Sequence, residues 1–139
     1  MSPKHSPRVE LTLPIIPDME LAATKTAEVV AKHMKLNEEK SAEICMAIIE
    51  ATINAFEHSE SGAGNVEIHF VIESDTLVIK VTDKGKGFDP SKVKIPKIEE
   101  KLGADRKRGW GLKLIQELMD TVEYESTPEG TTVTMTKKK

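Results

Sequence analysis

Two runs rich in β-branched residues, Asn65 to Glu73 and Thr76 to Thr82, are separated only by Ser74 and Asp75. A link of two residues has no room for a crossover helix, so the runs must pair as an antiparallel hairpin around which everything else is arranged. Val9 to Ile16 alternates as an earlier strand, closed by Pro14 and Pro17. Val122 to Thr127 and Thr131 to Thr136 form a final ribbon about the turn Pro128, Glu129, Gly130.

Helical periodicity occurs in three stretches. Asp18 is placed to cap the first, in which Leu21, Ala22, Val29, Val30 and Met34 recur at helical spacing to about Leu36. Asn37 caps a second, running to about His58, whose first turn carries Glu38 and Glu39 as the helix dipole prefers. A third begins at Gly109 or Trp110 and reaches Asp120, with Leu112, Ile115, Leu118 and Met119 on one face. The order β-α-α-β-β-loop-α-β-β is not that of a doubly wound parallel sheet. It predicts an α+β fold, a two-layer sandwich with a mixed, mostly antiparallel sheet and helices on one face. Residues 1 to 8 read as a loose arm and 9 to 139 as one domain, a size that can bury its own core.

Composition narrows the function classes. Aromatics are 4% of the chain, too few for base-stacking platforms, and a net charge of −3 repels phosphate backbones, so no direct nucleic-acid partner is expected. Cys45 has no second cysteine to pair with. The apolar stretch Ile44 to Phe56 is too short for a bilayer and is broken by Glu50 and Asn54. With no apolar leader in MSPKHSPRVE, a cytoplasmic protein without a membrane partner is expected. Signatures of P-loop, Rossmann, eukaryotic-type kinase and α/β-hydrolase sites are all missing, and His5, His33, His58 and His69 show no metal-ligand spacing.

Four places break local rules. Glu50 and Asn54 share one face of an otherwise apolar helix: a carboxylate that can take a proton, and a carboxamide whose hard oxygen suits Mg²⁺. DKGKG, Asp83 to Gly87, follows a strand directly, with an acid able to accept from an amino group such as adenine N6 and two glycines that permit close backbone approach. RGWGL, Arg108 to Leu112, puts glycines where helix N–H groups point at an anion. Between Gly87 and Gly109 lie 21 residues with seven basic and four acidic side chains, a surplus of +3 on a stretch that reads as a lid over about 88–108. Each pattern alone also reads as ordinary structure: a solvent stripe, a turn, a glycine-rich helix start, a charged loop.

Their order, ExxxN on a helix, DxGxG after a strand, a long loop, GxG opening a helix and a late Gly-Thr-Thr, resembles the GHKL ATPase superfamily. The resemblance spans about Val9 to Met135 and implies a Bergerat-type sandwich binding ATP and Mg²⁺. It implies Glu50 as catalytic base and Asn54 as Mg²⁺ ligand. Asp83 would bind the adenine amine, with Gly85 and Gly87 on the pocket floor. Arg108, Gly109, Gly111 and Leu112 would lie at the phosphates, and Thr132 near the adenine. IIEATINAFEH and GTTVTM look like the small anti-sigma factors that are also serine-protein kinases. In 139 residues there is no room for the phosphoacceptor helix pair of a sensor kinase or for a transducer domain. That branch implies a sigma factor and a STAS-type antagonist as partners, and a homodimer. A nucleotide-gated binding module without turnover, and a detached histidine-kinase ATPase domain acting in trans, are the competing expectations.

Overall fold

The computed structural model describes residues 6–58, 65–83, 106–128 and 130–139, with only the backbone course of His58 and of 106–111. In chain order the elements are β1 (Arg8–Pro14), α1 (Glu20–His33), α2 (Glu38–His58), β2 (Asn65–Ile72), β3 (Thr76–Asp83), α3 (Arg106–Leu118), β4 (Thr121–Thr127) and β5 (Gly130–Lys138). They build one five-stranded sheet, ordered β1-β2-β3-β5-β4, beneath a layer of helices. Every described pairing is antiparallel where a mixed sheet was expected. The reason is topological: α3 carries the chain over to β4, which runs in the same direction as β3, and β5 then turns back to fill the gap between them.

Pleating decides what faces the helices. Leu77, Ile79, Val81 and Asp83 on β3 point inward, as do Val66, Ile68 and Phe70 on β2 and Thr131, Val133, Met135 and Lys137 on β5. The register aligns these sets: Ile68 opposes Val81, which opposes Val133, and Phe70 opposes Ile79, which opposes Met135. Ile44, Ala47, Ile48, Ala51 and Ala55 of α2 complete the core with Ala23, Ala27 and Val30 of α1 and Ile115 of α3. Alanine at the facing helix positions allows close approach to the sheet and between α1 and α2.

Helix ends show which local signals prevailed. Asn37 caps α2 as expected, its Oδ1 accepting from the Lys40 backbone N–H at 2.7 Å. Asp18 does not cap α1: it sits in the left-handed region at φ 75°, and Met19 takes the N-cap position without a side-chain hydrogen bond. The turn from Ile16 to Met19 needs a residue tolerant of positive φ, and Asp meets that need instead. α3 starts at Arg106, three residues before the expected glycine, because arginine and lysine are good helix formers that extend it toward the N-terminus. β1 stops at Pro14, where Ile16 N–H turns back to the Pro14 carbonyl, and it begins at Arg8, just after Pro7 has accepted a bond from Ile72. Lys137 and Lys138 extend β5 past the expected Thr136.

Phe70 is fully buried at the centre of the sheet, so Phe70→Ala is expected to remove about 3–5 kcal/mol of stability, measured by urea denaturation. Tyr124 of β4 faces the helices, and burial pushes its phenol up to about 12. A folded-state value above the ordinary one near 10 means that this contribution to stability is intact below about pH 10 and is lost as pH rises toward 12. Tyr124→Phe is expected to flatten that loss; comparing urea midpoints of the two proteins at about pH 9 and about pH 11.5 isolates it.

Candidate functional site

Asn54 lies seven residues after Ala47, two turns along the same stripe, and is flanked there by Ala51 and Ala55. Packing that stripe on the sheet therefore draws the carboxamide inside: Asn54 is 4% exposed. Among the described residues neither its Oδ1 nor its Nδ2 has a hydrogen-bond partner, a condition that costs about 1–3 kcal/mol for each buried polar group. The solvent-stripe reading of ExxxN thus fails at Asn54. Glu50, one turn earlier, is only partly buried.

Asp83 ends β3 on the inward parity and is 3% exposed. Its register partner on β5 is Thr131, also buried, whose hydroxyl lies 3.3 Å from that of Ser126 on β4. Thr132, the threonine expected near the adenine, has the opposite parity. It points out of the other face of the sheet and shares a hydroxyl hydrogen bond of 3.1 Å with Thr82. Thr131, one residue earlier, lies on the face toward the helices, since one step along a strand changes the face.

Asn54 and Asp83 open onto one small cavity of about 10 Å³, near the minimum for a single water. Ala51 and Ala55 of α2 form one wall, Val81 and Val133 the sheet side, and Leu112 and Ile115 the α3 side. Leu112 was expected at the site. Val81, Ile115 and Val133 were not, although the period-two alternation of β3 and β5 carried the signal for the two strand residues. A buried carboxylate among apolar walls can accept from an amino group and the carboxamide oxygen beside it is a donor for a hard cation, although at about 10 Å³ the described cavity is far smaller than a nucleobase. Asn54 therefore fits Mg²⁺ by donor type. Gly85, Gly87 and the expected lid through residue 105 lie outside the described residues. Arg108, Gly109 and Gly111 fall in the first two turns of α3, and only their backbone course is described.

Cys45 is no competitor for chemistry. Its thiol is pushed up by burial first and by the Glu28 carboxylate second, against a smaller pull from Lys25.

Residues 17–137 match the histidine kinase-like ATPase domain. The chain belongs to this family. Among its relatives, a serine-protein kinase RsbW of Oceanobacillus iheyensis is 32% identical over 124 residues, covering 85% of this chain and 78% of that protein. An anti-sigma F factor of a Thermoanaerobacter species is 38% identical over 102 residues, 71% of each chain. Among solved structures, the RsbU and RsbW domains of a Mycobacterium tuberculosis protein superpose with a TM-score of 0.72 at 18% identity, over 96% of this chain and 32% of that one. The histidine kinase domain of a blue-light-activated kinase from Erythrobacter litoralis shares the fold at a TM-score of 0.56 and 14% identity.

Replacing Asn54 by leucine, similar in size and without polar atoms, is expected to raise the stability of the nucleotide-free protein by about 1–2 kcal/mol. The same variant is expected to lose Mg²⁺-dependent nucleotide binding. Thermal melts with and without ATP and Mg²⁺ check both outcomes.

Proposed function

We propose that the chain is an ATP-dependent protein-serine kinase that also sequesters a sigma factor, and that its substrate is a small antagonist protein of STAS type. The observation that carries the reading is the cavity shared by a buried, unpaired carboxamide and a buried acid on two different elements. The relatives named serine-protein kinase and anti-sigma F factor supply the direction.

Each residue has a role its environment supports. Asp83 accepts from the exocyclic amine of adenine, which guanine lacks at that position, so adenine is preferred by roughly ten- to a hundredfold. Asn54 offers its oxygen to Mg²⁺, which when bound screens the negative charge of the triphosphate. Glu50, partly exposed one turn away, is where an incoming protein hydroxyl can be reached, and it takes the serine proton as the oxygen bonds to the γ-phosphorus and the bond from that phosphorus to the β–γ bridging oxygen breaks, with ADP leaving. Backbone N–H groups in the first turns of α3, where Arg108, Gly109 and Gly111 lie, would meet the phosphates, while Gly85 and Gly87 lie outside the described residues. Thr131 replaces Thr132 beside Asp83. Leu21 and Val29 on α1 and Met46 on α2 are exposed apolar side chains, which agrees with a chain that works against protein partners. No helix among the described residues is long and apolar enough to cross a membrane, and the proposal places the protein in the cytoplasm as a homodimer.

Asp83→Asn is expected to weaken ATP binding by about tenfold or more in calorimetric titration. Glu50→Gln is expected to bind ATP nearly as wild type does, while phosphoserine formation on the antagonist falls by about 10²–10⁴. Binding of ATP and of a partner without phosphate transfer would select a nucleotide-gated binding module instead. Acid-labile phosphohistidine on the partner would select a histidine-kinase domain acting in trans.

A further inference from the structure

β5 presents Thr131, Val133, Met135 and Lys137 to the helical layer, so the last inward position holds a cation where an apolar residue would be expected. Lys137 is 7% exposed, and its Nζ donates to the Leu118 carbonyl at 2.5 Å and pairs with the Glu43 carboxylate at 2.8 Å. Leu118 is the last residue of α3, so the ammonium satisfies a terminal helix carbonyl and sits at the negative end of the helix dipole. Glu43 belongs to α2, the helix that carries Glu50 and Asn54. One side chain therefore ties the C-terminal end of α3 to α2 and β5. The neighbouring backbone reinforces the junction: Asp120 N–H donates to the Thr136 carbonyl, and Lys138 N–H donates to the Asp120 carboxylate.

We propose that Lys137 is a positioning residue for the phosphate end of the nucleotide site, setting the height and tilt of α3 against α2; this rests on the ATP-dependent reading above. The buried apolar side chains of α3 are Leu112 and Ile115, with Leu118 packed on the core and Met119 just beyond the helix, and apolar packing is non-directional, so it tolerates sliding and tilting. The Lys137 tie is directional. From Leu118 to Arg106 is about 18 Å, so a pivot of about 5° at the tied end moves the first turn by about 1.6 Å. Displacements of about 1 Å can cost about a hundredfold where reacting groups must be aligned. Adenine, held by Asp83 at the end of β3, does not depend on α3 in this way. A buried ion pair adds little to stability compared with apolar residues of similar size, so the tie acts on geometry more than on folding.

The test uses the full chain with Lys137→Met, which keeps length and removes charge, and Lys137→Arg, which keeps the charge. ATP with Mg²⁺ and adenosine are each titrated calorimetrically, and amide hydrogen exchange is followed over residues 112–118 without nucleotide. Lys137→Met is expected to weaken ATP binding by about tenfold while adenosine binding stays within about twofold, with faster exchange in α3 than in α2. Lys137→Arg is expected to restore most of the ATP-to-adenosine ratio. An unchanged ratio, or equal losses for the two ligands, overturns the positioning role while leaving the nucleotide reading intact. A wild-type chain that binds no ATP overturns the nucleotide reading and this role with it. If Lys137→Met does not fold, Glu43→Gln replaces it, and an unchanged ratio there overturns the role equally.

Discussion

The packing of α2 against the sheet is the constraint on which the rest depends. This helix touches α1, α3, β2, β3 and β5, and it can do so because its inward positions alternate alanine with isoleucine. Ile44 and Ile48 each contribute roughly 1.5–3 kcal/mol on burial. Together, at roughly 3–6 kcal/mol, they are of the same size as the roughly 2–6 kcal/mol for the two unpaired groups brought in at Asn54. The carboxamide is buried because the stripe around it is, and a chain under no demand for a polar group there would carry leucine or alanine instead. On the proposed function, the amide left unpaired among the described residues is there for what it binds rather than for folding.

The sheet supplies the second half of the pocket by the same logic. β3 has to place Leu77, Ile79 and Val81 inward, so Asp83, two residues further, follows them into the interior at the point where pairing ends. Thr131 meets it across the β3–β5 ladder, and Val133 makes the next step of the wall. Every described lining residue lies on a helix or on a central strand, so the geometry between Asn54 and Asp83 is held by the core itself. Rigid elements position such groups better than loops do.

Much of this was legible in the chain. The two-residue link at Ser74 and Asp75 dictated the central hairpin, Asn37 before two glutamates dictated where α2 begins, and the spacing of Glu50 and Asn54 marked the helix that carries the site. The misreadings have specific physical causes. Asp18 and Asn37 are both plausible caps, but only tertiary context shows that the turn after Pro17 needs Asp18 in the left-handed region. Thr131 and Thr132 are the same residue type side by side, so only the register with Asp83 separates the one facing the pocket from the one facing outward. Lys137 heads a run of three lysines that has the composition of a tail, and its partners, Glu43 and Leu118, lie 94 and 19 residues away in sequence. No local rule connects those three positions. Residues paired by register or by long-range contact are the ones that periodicity cannot assign.

These features also bear on how stability and binding are coupled. Without ligand, the protein carries the penalty of the unpaired Asn54 atoms; on the proposed function, magnesium nucleotide relieves that penalty at the same place where it gains its own contacts. Ligand at about a hundred times its dissociation constant stabilises a fold by about 2.7 kcal/mol through mass action. Part of that intrinsic affinity would then come from the free state having been left unsatisfied, since a group with no partner before binding gives up no competing hydrogen bond when it acquires one. A carboxamide already bonded to a neighbour would have to break that bond first, and the same contact with the cation would be worth less. Burying Asn54 in an alanine stripe, without a hydrogen-bond partner among the described residues, therefore favours binding on the proposed function for the same reason that it weakens the empty fold.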